Sequence, residues 1–297
     1  MIQIQTPVWQ DYELIDSGNR YKLERFGNYV LSRPEPQAVW DPALPQEKWR
    51  QLAHVHFALT GKGGREERGE WQHYRALKEP WFVQYKSKQL SLRFRLALTA
   101  FKHVGLFPEQ AANWEYIASV CKRMQQPKVL NLFAYTGGAS LAARQAGADV
   151  VHVDAVRQVV NWASQNQEAS KLDGIRWVVE DAMKFVQREV KRGRKYQGIL
   201  LDPPAYGRGP NGEKWVLEDH INELMQLCAK LLDEQQHFFL LNLYSVGFSA
   251  LIAESLTQSV FRHLPAARHA EVGELYVPDH AGRKLPLGTY LRFQGGF

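Results

Sequence analysis

A carboxylate at the carboxyl end of a buried strand, about 20 residues after a glycine-rich turn, is chemistry for holding the hydroxyls of a ribose. Residues 129–154 have that layout. Residues 129–133 form an apolar run suited to a buried parallel strand, and Ala134-Tyr135-Thr136-Gly137-Gly138 follows at once. Two adjacent glycines permit positive φ and close approach of backbone to a ligand. Residues 140–146 predict a short helix that Gly147 stops. Residues 149–153 are a second apolar strand with Asp154 at its tip. Two more carboxylates stand in comparable places. Asp181 follows an apolar strand at 175–179, and Asp202 follows another at 198–201.

The last of these opens Asp202-Pro203-Pro204-Ala205-Tyr206-Gly207. Proline cannot extend a central strand, so the strand stops there. The turn therefore lies at the carboxyl edge of the sheet, where open α/β sheets bind ligands. With N-L-F-A-Y-T-G-G, V-D-A at 153–155, E-D-A at 180–182 and L-D-P-P-A-Y-G-R-G at 201–209 in view, the chain resembles class I S-adenosylmethionine-dependent methyltransferases. Within them it is most similar to the ribosomal-RNA large-subunit group. The resemblance covers roughly residues 100–297.

That resemblance implies a Rossmann-like α/β fold with a mostly parallel sheet, an antiparallel last strand and helices on both faces. It implies S-adenosylmethionine as cofactor. Tyr135, Thr136, Gly137 and Gly138 would wrap its methionine end, Asp154 its ribose, and Asp181 with Ala182 its adenine, with Asn131 also among the cofactor-binding residues. The entry loop before the first large helix would bring Phe107, Glu109 and Gln110 to the pocket. Asp202, Pro203 and Pro204 would orient the methyl acceptor, and Tyr206 would stack on a base. Arg208 and Lys214 would reach phosphates. In relatives that methylate exocyclic nitrogens an aromatic directly follows the two prolines; here Ala205 intervenes. Each carboxylate also has a plain structural reading: Asp154 and Asp181 would equally suit helix caps.

The 297 residues are 45% hydrophobic, enough for one large domain with an appendage. A net charge of +6 is compatible with a polyanionic partner without demanding one. Cys121 and Cys228 fall in helix-like segments, fit no metal site and suit reduced thiols in a cytoplasmic protein. The first ten residues have neither basic head nor apolar core of a signal peptide, and no apolar run would span a bilayer.

Residues 1–100 read as a β-rich N-terminal extension and 101–297 as the methyltransferase domain. Strand candidates in the extension are 12–15, 21–26, 29–31, 81–85 and 90–98. Residues 61–69, rich in glycine and charge, read as a mobile loop; they lack the ending of a phosphate loop. From Lys86 to Lys102 there are five cations and no acid, with Arg93 and Arg95 alternating with Leu92, Phe94 and Leu96. Such a face is either solvated or turned to phosphate. In the domain, helices are expected at 111–124, 155–172, 183–190, 215–232 and 248–261. Residues 208–213 read as a glycine-rich mobile loop. A strand at 237–242 and a final antiparallel pair, 269–277 and 288–293, complete the sheet. The basic run 191–195 lies between helix and strand, opposite the ligand edge.

The expected activity is methyl transfer to a nitrogen of an RNA base, ribosomal RNA favoured. Carbon 5 of a pyrimidine is a poor nucleophile and needs a cysteine thiolate adduct. The loops 202–207 and 242–247 contain no cysteine. A protein or small-molecule acceptor, a nicotinamide-dependent oxidoreductase and a catalytically silent RNA-binding protein are the competing readings. The oxidoreductase lacks its G-x-G-x-x-G.

Overall fold

A computed structural model describes residues 2–60, 69–244 and 248–297. The expectations for 61–68, and for the end of the 242–247 loop, lie outside the described residues. The chain divides into two compact units, one of 1–4, 110–275 and 287–297, the other of 5–109 and 276–286.

The first unit is built on an eight-stranded sheet. Its strands are β1 (Ile2–Gln5), β2 (Lys128–Leu132), β3 (Asp149–Asp154), β4 (Ile175–Val179), β5 (Gly198–Leu201), β6 (His237–Leu243), β7 (Glu271–Pro278) and β8 (Lys284–Gly295). The order across the sheet is β1-β7-β8-β6-β5-β2-β3-β4. From β6 to β4 all pairings are parallel, and β8 runs antiparallel to β6. Helices α1 (Ala111–Cys121), α2 (Gly138–Gln145), α3 (Arg157–Ala169), α4 (Ala182–Lys191), α5 (Leu217–Leu231) and α6 (Ala250–Val260) complete it.

The strand period of two sorts the sheet's side chains. Leu130 and Leu132, Val151 and Val153, Ile199 and Leu201, and Phe239 and Leu241 share one core with Phe185 of α4, Leu224 of α5 and Phe261. Burying each such side chain is worth about 1.5–3 kcal/mol. Alternation sends Asn131, His152 and Asn242 to the opposite face, where they are buried polar groups. The apolar runs are therefore interrupted on one face only.

The second unit carries a five-stranded sheet, Tyr12–Gly18, Tyr21–Phe26, Tyr29–Pro34, Val55–Leu59 and Gly69–His73 in that order. The helix Gln46–Leu52 connects its third and fourth strands, which pair in parallel. A separate ribbon pairs Trp81–Lys86 with Ser91–Leu96. The buried Glu24 carboxylate anchors this unit. It accepts two hydrogen bonds from Arg33, at 2.9 and 2.6 Å, and one from Tyr12 at 2.9 Å.

Several elements depart from the sequence reading. Residues 2–5 add the edge strand β1 to the main sheet rather than to the extension. The strands Val55–Leu59 and Gly69–His73 and the helix before them were not foreseen. Their alternation is short and flanked by proline or glycine. Residues 214–216 are not helical. They form a hairpin, Tyr206–Arg208 with Lys214–Val216, so α5 starts two residues later than expected. The aromatic and β-branched Trp215 and Val216 favour that strand.

Candidate active site

Strand register creates the site. Leu132 pairs with Val153 and with Leu201, Asp154 with Val179, and Leu201 with Leu241. Five parallel strands therefore end level. The loop after β2, Asp154, Glu180-Asp181, Asp202 and Asn242 leave the sheet along one edge.

The loop after β2 is tightly wound. Phe133, Tyr135 and Gly137 have φ of +55°, +48° and +90°. Only one of the two glycines uses the left-handed region. The other, Gly138, is required by packing: a Cβ there would meet the Trp114 ring of α1 at 2.6 Å. The loop is held from three sides. Ala134 N–H donates to the Val153 carbonyl at 3.1 Å, Tyr135 N–H to Asp154 Oδ2 at 2.9 Å, and Asn166 Nδ2 of α3 to the Thr136 carbonyl at 2.9 Å.

Asp154 thus has a defined local task. Its Oδ1 accepts from Val156 N–H at 2.9 Å. It does not cap α3, whose N-cap is Val156. Burial pushes its carboxyl above the usual value, and the backbone donors at Val156, Tyr135 and Ala155 oppose that. An ionised carboxylate has about four acceptor positions, so with three backbone donors engaged one remains for a hydroxyl donor. The acceptor chemistry at this tip fits a ribose hydroxyl.

Asp181 caps α4: its Oδ1 accepts from Lys184 N–H at 2.9 Å. Ala182, the first residue of that helix, is buried. Asn131 turns away from the edge. Its Nδ2 donates to Ser140 Oγ at 2.9 Å, and that hydroxyl bonds His152 Nδ1 at 3.0 Å. Burial drives the His152 imidazole down to about 3, so it stays neutral. This buried chain clamps β2 and β3 to α2 beneath the loop.

Asp202 leaves β5 beside Phe133, with Pro203 buried and Pro204 exposed behind it. Trp215 secures the turn. Its Nε1 donates to the Pro204 carbonyl at 2.7 Å, and its ring lies 4.8 Å from that of Phe133. Opposite Trp215 in the hairpin stands Gly207. The other hairpin face carries Tyr206, Arg208 and Lys214, all exposed, Tyr206 by 71%. Arg208 and Lys214 are directly paired across the ribbon. Below it Lys184 Nζ donates to Glu213 Oε1, which holds the Glu213 carboxyl down to about 2.

At the β6 tip lies a cluster of buried amides. Asn113 Nδ2 donates to Gln110 Oε1 at 3.0 Å and to Asn242 Oδ1 at 2.9 Å. Asn242 Nδ2 reaches Gln110 Oε1 at 3.1 Å, and Gln110 Nε2 donates to the Tyr244 hydroxyl. Of these only Gln110 was expected from sequence. His152, Asn166, Trp215, Asn113 and Asn242 were missed. Asn242 and His152 left a signal, since each is a polar residue inside an apolar strand run.

Four candidates belong to the other unit. Arg93 is exposed and Arg95 partly so, alternating with buried neighbours as expected, and the Arg93 guanidinium sits 4.7 Å from the Phe82 ring centroid. Phe107 packs on His103 at 5.3 Å. Glu109 is 2% exposed. Burial pushes its carboxyl up to about 7, opposed by Lys22 and reinforced by Glu24 and Glu35.

A parallel sheet ended by an antiparallel strand, with a wound loop and carboxylates at its ligand edge, defines a class I methyltransferase architecture. The comparisons make this specific. The S-adenosylmethionine-dependent methyltransferase family matches residues 46–272, and the chain belongs to it. It uses S-adenosylmethionine. The crystal structure of a SAM-dependent methyltransferase from Agrobacterium tumefaciens superimposes with a TM-score of 0.89 at 37% identity, covering 99% of this chain and 93% of that one. A solved methyltransferase-fold chain complexed with SAH reaches 0.71 at 15% identity, over 96% and 75%, which speaks for the fold alone. Among curated relatives, ribosomal RNA large subunit methyltransferase K/L of Shewanella frigidimarina is 26% identical over 75% of this chain and 34% of its own length. Methyltransferase I of Aeromonas salmonicida is 27% identical over 79% and 58%. The chain thus spans from a third to somewhat over half of these two relatives. No helix among the described residues is long and apolar enough to cross a membrane.

The buried Glu109 sets a pH dependence. Its folded value lies above the ordinary 4.5, so the folded state binds the proton more tightly. Its contribution to stability falls as pH rises from about 4.5 to about 7. Glu109→Gln is expected to stabilise the protein by roughly 1–3 kcal/mol at pH 8 and by little at pH 4. Urea unfolding at both pH values measures this; an equal change at both would refute the assignment.

Proposed function

We propose that the chain transfers a methyl group from S-adenosylmethionine to a nitrogen of an RNA base, with ribosomal RNA the favoured substrate. The observation that carries this reading is the Asp202-Pro203-Pro204 turn. It shares an edge with the wound loop and continues into a hairpin displaying an aromatic ring and two cations. The names of the curated relatives supply the ribosomal RNA. Bound S-adenosylmethionine supplies an electrophilic methyl on a sulfonium.

The protein's task is positioning and exclusion of water. In this reading Tyr135 to Gly138 wrap the methionine end, and Asp154 accepts from the ribose hydroxyls. Asp181, with one oxygen committed to its helix, holds the adenine edge with the Ala182 backbone. Asp202 and the Pro203 carbonyl accept hydrogen bonds from the amino or imino group under attack and so aim its lone pair. Tyr206 stacks on the extruded base, and Arg208 and Lys214 reach its phosphates. Cys121 and Cys228 are buried, and burial pushes both thiols upward, Cys121 to about 12. Neither is a thiolate at neutral pH, so the covalent route to carbon 5 has no nucleophile in either of them.

Asp154→Ala is expected to weaken S-adenosylmethionine binding by about 1–3 kcal/mol. It removes a ribose acceptor and the tether of Tyr135 N–H together. Calorimetry with equal affinity for variant and wild type would sink the assignment.

Asp202→Ala should leave cofactor affinity close to wild type and abolish most turnover, because its bond forms to the acceptor. The substrate comes first, from mass mapping of nucleosides in rRNA of a strain lacking the protein. A normal single-turnover rate for the variant on that RNA would count against the role.

The nitrogen assignment has its own test. RNA carrying 5-fluorocytosine at the target should give no covalent adduct with the wild-type enzyme. A trapped adduct, or 5-methylcytosine as product, would show that the acceptor is carbon.

A further inference from the structure

The unit of 5–109 and 276–286 holds a cavity of its own, of about 1070 Å³, lined by residues from the helix Gln46–Leu52 and from the five-stranded sheet. Its floor is a row of rings. Tyr21 and His56 stack with centroids 5.2 Å apart and planes 24° from parallel. Tyr74 lies parallel to His56 within 7°, at 6.3 Å. The Arg50 guanidinium sits 5.5 Å from the Tyr74 centroid.

Register builds the row. His56 faces Ser32 on one side and Gln72 on the other, so Tyr74, two residues on, is its diagonal neighbour on the same face. Ser32 Oγ bonds His56 Nδ1 at 2.9 Å and fixes that ring. The outer end of the row is open to solvent: Tyr74 is 37% exposed and Arg50 is exposed. At its inner end Tyr21 packs against a hydrophobic cluster of Leu23, Val30, Trp49 and Ala53, the last two of which also line the cavity. Asn19 and Gln46 add amide groups to the lining. The exposed charges on and beside the lining segments are Arg20, Lys48, Arg50 and Arg75 against Asp41 and Glu47.

Aromatic rings lining an open cavity, a flanking guanidinium, amides able to bond a base edge and a basic excess are what an unpaired nucleobase needs. We propose that this cavity is a second RNA-contacting site, which takes an unpaired base of the substrate strand onto the Tyr21–His56–Tyr74 row beside Arg50. The proposal rests on the RNA reading given above. It differs in place from the Tyr206 hairpin, because every lining residue belongs to the second unit. A site that holds a base other than the reacting one would act on affinity and target choice rather than on the chemical step.

The test uses full-length protein, ribosomal RNA and a mixed-sequence single-stranded oligoribonucleotide. Tyr74→Ala and Arg50→Ala are compared with Tyr74→Phe, which keeps the stacking face. All three change exposed side chains, and unchanged S-adenosylmethionine affinity confirms folding. The alanine variants should bind both RNAs about tenfold or more weakly, with Tyr74→Phe near wild type. Ultraviolet crosslinking should join wild type to RNA through peptides containing Tyr21 or Tyr74. Wild-type affinity in both alanine variants, or crosslinks confined to other peptides, overturns the cavity site while leaving the RNA reading standing. Wild type that binds neither RNA overturns both. A proline-rich peptide that occupies the cavity without being displaced by RNA overturns the proposal in favour of a protein partner.

Discussion

The loop after β2 is the constraint on which the site depends. Phe133 and Tyr135 hold left-handed backbone without being glycine, at a cost of about 1–2 kcal/mol each. Such a conformation persists only where its surroundings over-determine it. Here Val153, Asp154 and Asn166 each hold one loop residue by a hydrogen bond, from β3, its tip and α3. Gly138 admits the Trp114 ring that seats the start of α2. The carboxylate suited to a cofactor ribose is therefore the same group that shapes the loop beside it. The shape of the loop and the placement of that acceptor are coupled through one side chain.

The two faces of the sheet differ, and three buried polar side chains interrupt the apolar packing of one of them. The face shared by α4 and α5 is hydrophobic and close-packed. The other carries Asn131, His152 and Asn242, each buried and drawn into a hydrogen-bonded chain with groups from α1, α2 or the residue before α1. Apolar side chains would pack there as tightly but would not fix the rotation of a helix about its axis. Directional bonds to Ser140 and Asn113 do, and the helix whose rotation they fix carries the glycine loop's far end. A neutral His152 suits this task, since a charged imidazole at that depth would need a counter-ion.

How much of this was legible depended on the range of the interactions. Apolar runs ending in Asp154, Asp181 and Asp202 betrayed the strand tips, because a parallel strand buried on both faces must be apolar and must stop at its ligand edge. The family motifs then named the cofactor. Asn131 misled: its place in the motif pointed to the ligand, whereas its place in the alternation sent it to Ser140. The Tyr206–Arg208 hairpin was read as loop and helix because three-residue strands carry too little periodicity to announce themselves. β1 was hidden for another reason. Its pairing partner lies some 270 residues away in the chain, and Ile2–Gln5 carries no local sign of which edge it will complete.

The hairpin after Asp202 shows what is gained by following such a feature to its energetics. Trp215 and Gly207 face inward, so alternation forces Tyr206, Arg208 and Lys214 outward together. Arg208 and Lys214 are directly opposite, a placement of like charges that destabilises a ribbon by a few tenths of a kcal/mol or more. Nothing in the inward packing of Trp215 requires two cations there; polar neutral residues would serve the ribbon better. Glu213, the acid in the turn, is drawn by Lys184 and Asn211. The repulsion is relieved when a polyanion lies across both cations, which then share its phosphates and release its counterions. Two exposed cations placed opposite one another are thus a feature that the ribbon's own stability does not account for. The hairpin that carries the pair is tied directly to the Asp-Pro-Pro turn by the Trp215 bond to the Pro204 carbonyl.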